Sequence, residues 1–591
     1  MKRFVLIITL CITASFAHAQ DDDDKGMLTR FLQDSLSGAG RQVDIQGFAG
    51  ALSSRATIER MTFSDDKGVW FIITDVALDW NRLRVLRGEI DINELSAKTL
   101  EIKRAPETPG QAPSPEASVF NLPDLPVSID IGKVAIGALI LDEPVLGEKF
   151  TATLNGTMKL EGGTGSADIS LDRTDDKTGA IKLAGGFDNE TRQLKLDLSV
   201  NEGPGGILAE KIGLPGDPSV DFEIAGDDPL SDFTGTLRLA TDQVERFAGT
   251  VTILSTQKGD TDITQFRADL GGDISPLFEP DYQSFFGDNT ALVVNGTKEA
   301  AGRLILDELT LDTEAFDIRG SVTLSADGFP EQFDVTGTLR SGTEVAALLP
   351  IPGERVQLKS ADFNANYQAG ESDDWSFKAS FEEFEQGPNR IGSGSIDAVG
   401  KIKRDGQITD PTQSLRNVSA DVSAQLSDFA SDDPAMSRAF GQDITAKTNI
   451  VWSDGDPIKI SGLDLKAEGS QISGNAEIAG AEQNLRITSD ISVETDDLSR
   501  YSDLVGQELA GRADLTLAGW FEPLGSAFDI ALDMNSNDLS AGPAPVPELL
   551  KGVGTLSLKA SRDLTGLDLK AFSVQTAALA ANANGRLQSS D

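Results

Sequence analysis

The chain has 591 residues, with 94 acidic and 51 basic side chains, and its formal net charge is −43. This charge argues against nucleic acid and anionic lipid headgroups as partners, because both demand clusters of Lys and Arg. The one histidine, His18, and the one cysteine, Cys11, lie within residues that have the pattern of an export signal. The mature chain then lacks the groups that thiol nucleophiles, disulfides, Ser-His relays and ordinary zinc sites require, so we expect no enzyme, cofactor or metal.

The N-terminus has the three parts of a secretory signal peptide. A positive start is followed by an apolar run over residues 4–16 and by the small-residue site Ala17-His18-Ala19. The pattern predicts that residues 1–19 are cleaved off between Ala19 and Gln20, and the alternative is an uncleaved signal anchor. The segment Asp21 to Lys25, DDDDK, matches a protease-tag sequence or forms a native acidic start of the mature chain.

Residues 20–104 are predicted to form one helix and then the first strands. Apolar residues at helical spacing between Met27 and Leu36 indicate the helix, and a glycine pair ends it. Apolar patterns typical of strands follow at Val43 to Phe48, Val69 to Asp79, Ile90 to Ile92 and Leu100 to Ile102. Residues 105–126 are rich in proline, which blocks both helix and central strand, so we expect a linker or an extended crossing there.

Residues 127–591 are predicted to form short strands almost throughout. Apolar and polar residues alternate from Val127 to Ile131 and from Leu194 to Val200, which places the apolar side chains on one face. The pattern predicts a mainly β fold, namely one long, repetitive sheet to which strands are added one after another. Helical breaks are expected near residues 344–349 and 501–509. The chain ends within strand-like sequence, so we expect a longer protein of which this is the N-terminal portion.

The apolar face of such a sheet has two interpretations. It packs on itself or on a second sheet, or it lines an open trough that holds a lipid chain. The trough has a physical motive, because each methylene kept from water is worth ~0.8 kcal/mol. The predicted groove-lining residues are the inward aliphatic side chains Leu194, Leu196, Leu198, Leu237, Leu239, Val251, Ile253, Val322, Leu324, Leu556 and Leu558. A register error of one residue inverts every such assignment.

The first part of the chain contains sequence segments that are similar to those of a known family. The similar segments are Gly47 to Leu52, Gly68 to Trp70, Val76 to Asn81, Leu86 to Ile90, Leu122 to Ile131 and Pro144 to Glu148. They resemble the start of TamB-type subunits of the translocation and assembly module, which are relatives of the AsmA-like proteins. The similar segments span about residues 27–150. The remainder resembles the family only in having β repeats of low sequence similarity.

The resemblance implies a function as well as a fold. It implies a periplasmic β-taco with an inner-membrane anchor at its N-terminus and an Omp85-type outer-membrane barrel, TamA-like, as partner. It implies roles in protein secretion, in outer-membrane protein assembly and in phospholipid transport. The short apolar run of the signal departs from the anchor that the resemblance implies.

Two other functions and two local interpretations remain open at this point. The chain is alternatively a secreted, acidic, structural or adhesive β-solenoid, or a β-helix enzyme that degrades polysaccharides. Trp70 and Trp80 are expected to pack at the mouth of the trough. Arg82, Arg84 and Arg87 either pair with nearby acids or contact membrane phosphates.

Overall fold

A computed structural model describes residues 42–50, 53–81, 83–84, 89–106, 122, 128–258, 261–342, 344–405, 415–480 and 485–588. The predicted cleavage site at Ala19 and Gln20, the predicted helix of residues 27–36 and nearly all of the predicted linker lie outside these residues. The chain divides into two compact units, Met1–Glu279 and Pro280–Asp591. Each unit is described by itself below.

The first unit is a sheet in which each strand pairs with the next strand along the chain. All of these described pairs are antiparallel except β4 and β5, which run in the same direction. Its strands are β1 (Gln42–Gln46), β2 (Arg55–Asp65), β3 (Gly68–Trp80), β4 (Glu89–Ile102), β5 (Ser128–Leu141), β6 (Phe150–Glu161), β7 (Thr164–Arg173), β8 (Gly179–Asp188), β9 (Gln193–Glu202), β10 (Val220–Pro229), β11 (Asp232–Thr241), β12 (Val244–Lys258) and β13 (Thr261–Gly272). Its helices are α1 (Glu143–Leu146) and α2 (Ile207–Ile212).

The second unit is an antiparallel sheet of the same kind. Its strands are β14 (Thr290–Glu299), β15 (Leu304–Asp312), β16 (Phe316–Leu324), β17 (Pro330–Arg340), β18 (Ala347–Leu348), β19 (Val356–Leu358), β20 (Ser360–Gln368), β21 (Asp374–Gln386), β22 (Asn389–Asp405), β23 (Leu415–Ser431), β24 (Ile444–Ser453), β25 (Ile458–Ala467), β26 (Ser470–Ala479), β27 (Arg486–Thr495), β28 (Ala510–Glu522), β29 (Ala527–Ser540), β30 (Val553–Asp563), β31 (Gly566–Gln575) and β32 (Ala580–Gln588). Its helices are α3 (Gln283–Phe286), α4 (Pro434–Phe440), α5 (Ser502–Val505) and α6 (Val546–Leu549). The small β18–β19 hairpin is inserted between β17 and β20 in the sequence, but β17 pairs directly with β20 in the sheet.

The prediction of a mainly β fold with an open sheet is confirmed. The strand predicted at Val69 to Asp79 is β3, and the two patterns at Ile90 and Leu100 belong to one strand, β4. The helical break predicted near residues 501–509 contains α5. The break predicted at residues 344–349 is wrong, because Ala347 and Leu348 pair with Leu358 and Gln357 as a small hairpin.

Helical links recur at one edge of the sheet in each unit. In the first unit α1 precedes β6 and α2 precedes β10, with four strands between the links. In the second unit α4 precedes β24 and α5 precedes β28, again four strands apart. Antiparallel strands alternate in direction, so links separated by four strands leave from the same edge. We call this edge the linked edge and the opposite one the turn edge.

Glycine residues with positive φ angles permit the tight turns at the turn edge. The turn between β6 and β7 uses Gly162 and Gly163, whose φ angles are 54° and 78°. A two-residue hairpin turn with both φ angles positive matches the twist of the flanking strands, and only glycine adopts it without a steric penalty. Glu161 and Thr164 close this turn as directly opposite residues.

The sheet of the second unit curls at its turn edge. Arg404 on β22 donates to Asp327 in the β16–β17 turn, with 2.6 Å from Nη2 to Oδ1. Because β20 and β21 lie between β17 and β22, these positions would be at least three steps of ~4.8 Å apart on a flat sheet. The hydroxyl of Tyr367 on β20 likewise reaches the carbonyl oxygen of Ile402 on β22 at 3.3 Å. The strand ends therefore bend toward the face that carries Tyr367 and Arg404.

The Asp327 carboxylate makes this bend dependent on pH. Partial burial raises the pKa of Asp327, but hydrogen bonds from Ser325 and Arg404 outweigh burial and lower the pKa from 3.8 to about 2. A carboxyl whose pKa is lowered by folding stabilises the fold above its unfolded pKa and loses that effect as the pH falls through the folded pKa. The contribution of Asp327 is therefore complete above about pH 4 and lost toward pH 2.

We expect Asp327→Asn to lower the free energy of unfolding at neutral pH by about 1–2 kcal/mol and to flatten its decline between about pH 4 and 2. Urea unfolding followed by circular dichroism across that range measures both effects. Asp334→Asn, on the exposed face of β17, is the control and should keep the wild-type profile. Identical pH profiles for Asp327→Asn and the wild type would contradict this role of the carboxylate.

Candidate functional site

The strand register aligns the apolar side chains on one face. Leu198 on β9 lies directly opposite Leu183 on β8 and Ile224 on β10. Ile224 in turn lies opposite Leu237 on β11, and Leu237 lies opposite Gly249 on β12. Directly opposite residues point to the same side of a sheet. The row therefore forms one continuous face across β8 to β12, which we call the apolar face, and the other side is the polar face.

All eleven predicted groove residues lie within strands, on β9, β11, β12, β16 and β30. In the first unit, the register places Leu194, Leu196, Leu198, Leu237, Leu239, Val251 and Ile253 together on the apolar face. In the second unit, Val322 lies opposite Phe333, Leu324 opposite Pro330, Leu556 opposite Met534, and Leu558 opposite Leu532. Their function as a groove lining stays a prediction.

These eleven side chains are half-buried. The clusters of fully buried apolar residues lie elsewhere, although the single rings of Phe187 and Phe233 are buried on the apolar face. One cluster is formed by Ala97, Ile136 and Leu139 on β4 and β5, and the other two described clusters gather at strand ends and links. Of the eleven, Leu239 alone packs against one of these three clusters in the described chain. In a filled two-layer core the inward side chains of central strands would be almost completely buried. Half-burial matches a wall that solvent or a ligand can reach.

An aromatic cluster occupies the turn edge of the second unit, where sequence reasoning placed no site. Phe329, Tyr367 and Ile402 are buried at strand ends, with Trp375 and Trp452 packed against them. Trp375 donates its indole N–H to the carbonyl oxygen of Ser419 at 2.9 Å.

Two guanidinium groups lie over these rings. Arg404 lies 5.1 Å from the ring centre of Phe329, and Arg416 lies 5.7 Å from that of Trp452. Such cation–π contacts stabilise the positions of the strand ends at this edge. The aromatic residues at strand ends were a signal in the sequence, but the pairing of ends from β16 to β24 was not.

A buried ionic cluster lies at the linked edge of the first unit and was also missed. The Arg173 side chain is 2% exposed, and it donates to Asp175 at 2.7 Å and to Glu148 at 2.8 Å. Burial by itself raises the pKa of Glu148, but hydrogen bonds from Lys177 and Arg173 dominate and lower it. Glu202 adds a third carboxylate, 4.0 Å from Arg173. Because three carboxylates face two cations, the cluster is a structural ion-pair network rather than an anion site.

A cleft of about 1010 Å³ lies on the polar face of the first unit, opposite to the predicted groove. Most of its lining residues lie at alternate positions of β7 to β12 on the polar face, and Leu183, Ile224, Leu237 and Gly249 complete the lining. The polar-face lining residues are Asp168, Ser170, Lys182, Ala184, Asp197, Ser199, Glu223, Ala225, Thr236, Arg238, Ala248 and Thr250. The mixed charges and lack of aromatic rings select no ligand class.

The structure describes both of the N-terminal tryptophan side chains and one of the three arginine side chains singled out in the sequence. Trp80 donates its indole N–H to the carbonyl oxygen of Ser53 at 3.0 Å, and Trp70 packs with Phe63 and Phe71. Arg84 pairs with acids, at 3.3 Å from Glu89 and 3.0 Å from Asp91, as one of the two interpretations predicts. Arg82 and Arg87 lie outside the described residues.

No set of three or more metal-ligating side chains comes together within the described ranges. Those same ranges contain no helix with the length and apolarity needed to span a membrane. Comparison with known proteins gives no match, since no family model, curated protein or solved structure is significantly similar to the chain.

We expect a carboxylate to be tolerated on the apolar face but not in a buried cluster. Leu198→Asp should lower the free energy of unfolding by less than about 2 kcal/mol, because its carboxylate keeps access to water. Val220→Asp, at a position with 0% exposure, should cost more than about 4 kcal/mol.

Urea unfolding of both variants, beside the polar-face control Ser199→Asp, makes this comparison. The control should differ from the wild type by less than about 0.5 kcal/mol. A loss at Leu198 as large as the loss at Val220 would mean that the apolar face is a filled core.

Proposed function

We propose that the chain is a non-enzymatic conduit whose apolar face holds the acyl chains of phospholipids. The observation that carries the proposal is the in-phase row of half-buried aliphatic side chains across consecutive strands, with Leu198, Ile224 and Leu237 as its centre. A wall of this kind offers hydrocarbon contact along its whole length. It requires no reactive group.

The energetics of lipid transfer support a binding wall. A tail of about 16 carbons faces a cost of roughly 12 kcal/mol on entering water, at ~0.8 kcal/mol for each methylene. Contact with an apolar face removes most of this cost at every position along the path. Movement along the face then exchanges one set of equivalent contacts for another, so no single strong site is needed.

The setting of the conduit is proposed from the sequence. The export signal and the resemblance to TamB-type subunits support a place in the cell envelope, in the periplasm, with the N-terminus at the inner membrane. On the same basis an Omp85-type outer-membrane barrel is the proposed partner, with roles in protein secretion and outer-membrane protein assembly.

A secreted structural β-solenoid is the second candidate. The net charge of −43 and the filled cluster at Ala97, Ile136 and Leu139 favour it, because a solvated rod needs a soluble surface and a packed interior. Cell fractionation separates the two functions. A conduit stays in the envelope, and an adhesive rod appears outside the cell.

The direct test is mass spectrometry of lipid that co-purifies with the native chain. We expect phospholipid on the wild type and a loss of at least about tenfold when Leu198, Leu237 and Val251 are all changed to Asp, because three carboxylates interrupt the hydrocarbon contact.

The matched control places the same three charges on the polar face of the same strands, as Ser199→Asp, Thr236→Asp and Thr250→Asp. This variant should keep its bound lipid. The comparison distinguishes an effect of disrupting the apolar face from an effect of the added negative charge alone. A wild type without lipid, or equal lipid on both triple variants, would refute the conduit.

A further inference from the structure

Three phenylalanine rings lie over glycines instead of standing on the sheet. Phe233 is on the apolar face of the first unit. Phe363 and Phe381 are on the side of the second unit that carries Val322, which is the apolar face of that unit. The Phe363 ring occupies the place where a Cβ on Gly337 would be, with Cε1 2.2 Å from that point. Phe381 covers Gly394 in the same way at 2.2 Å, and the Phe233 ring covers Gly226 at 2.4 Å. Covering a strand glycine with a cross-strand aromatic ring is a known way to protect the exposed backbone.

The Phe363 ring shows how far this arrangement extends. Gly337 on β17 is directly opposite Phe363 on β20, and the ring reaches across β17 toward β16. There it stacks with Phe316, with ring centres 6.5 Å apart and planes at 20°. On the other side Phe377 of β21 lies 6.3 Å away. The rings form a band along the sheet. Phe363 and Phe381 are half-buried, and Phe233 is 9% exposed.

A ring that lies along the sheet takes up little depth. Its outer face is one carbon contact, about 3.5–4 Å, above the backbone that it covers. An upright ring would project by its full length into the space above the apolar face. Glycine is the one residue that permits the flat position, because any Cβ at Gly337 would occupy the ring's place.

We propose that Phe233, Phe363 and Phe381, each with its glycine, set the free depth of the groove and so decide whether an acyl chain can pass. The proposal rests on the proposed function, since it concerns the same apolar face. The ligand class is an unbranched hydrocarbon chain, which fits a shallow smooth wall without deep pockets.

The test uses the full chain and a photoreactive fatty acid with a diazirine at its tail, with cross-linked peptides mapped by mass spectrometry. In Gly337→Ala the new Cβ forces the Phe363 ring upward. We expect cross-links to β16, β17, β20 and β21 to fall about tenfold, which equals lost contact with roughly two methylenes. Cross-links elsewhere on the apolar face should not change.

Gly185→Ala is the matched control, because Gly185 is on the apolar face and its nearest neighbour would be the Lys195 carbonyl oxygen at 3.8 Å. It should cross-link as the wild type does. Adding Phe363→Ala to Gly337→Ala removes the displaced ring and should restore the local cross-links. The melting temperature of each variant is recorded in parallel.

The possible contrary results distinguish failure of the role of the rings from failure of the conduit. Wild-type cross-links on the apolar face that persist in Gly337→Ala would overturn the role of the rings and leave the conduit in place. Unfolding of Gly337→Ala would also overturn it, because the ring would then have no free space to enter. A wild type with no cross-links on the apolar face would overturn the conduit itself and this inference with it.

Discussion

The cross-strand register is the constraint on which the rest of the structure depends. Strands such as β9 and β16 alternate apolar and polar residues, and a slip of one residue would exchange the two faces. The pairing of Leu183, Leu198, Ile224 and Leu237 keeps the alternation in phase across β8 to β11. Lys182, Ser199 and Glu223 are in phase on the other side. A continuous apolar face is therefore a consequence of backbone hydrogen bonding, and no separate device is needed to build it.

Charged side chains at the sheet edges complement this face. In the first unit Arg173 is enclosed by Glu148, Asp175 and Glu202, and in the second unit Arg404 joins Asp327. These pairs satisfy ions that would be costly to bury alone. They also fix the bend of the strand ends, and they leave the central aliphatic rows free of charge. Aliphatic rows in the middle of the sheet and ion pairs at its edges are thus two parts of one arrangement.

Local patterns in the sequence predict much of this fold, and contacts between distant residues account for what they miss. The alternation from Leu194 to Val200 predicts β9, because a half-buried strand needs no other signal. The links α1 and α6 escape prediction because each is four residues long, less than a clear helical period. Ala347 and Leu348 have helix-forming neighbours, yet burial in a hairpin overrides propensity. Arg404 and Asp327 are 77 residues apart, and nothing local relates them. The aliphatic side of the candidate site follows from alternation, whereas the flat Phe363 ring requires the register of β17 and β20.

Hydrocarbon, and not a second layer of protein side chains, is the proposed occupant of the space above the aliphatic rows. An electron cryomicroscopy map of the chain purified with its native lipid tests that claim most directly. We expect tubular density along the apolar face of each unit, in contact with Leu198 and Leu237 in the first unit and over the Phe363 ring in the second. A map in which side chains interdigitate across that face, with no room for a hydrocarbon chain, would contradict it.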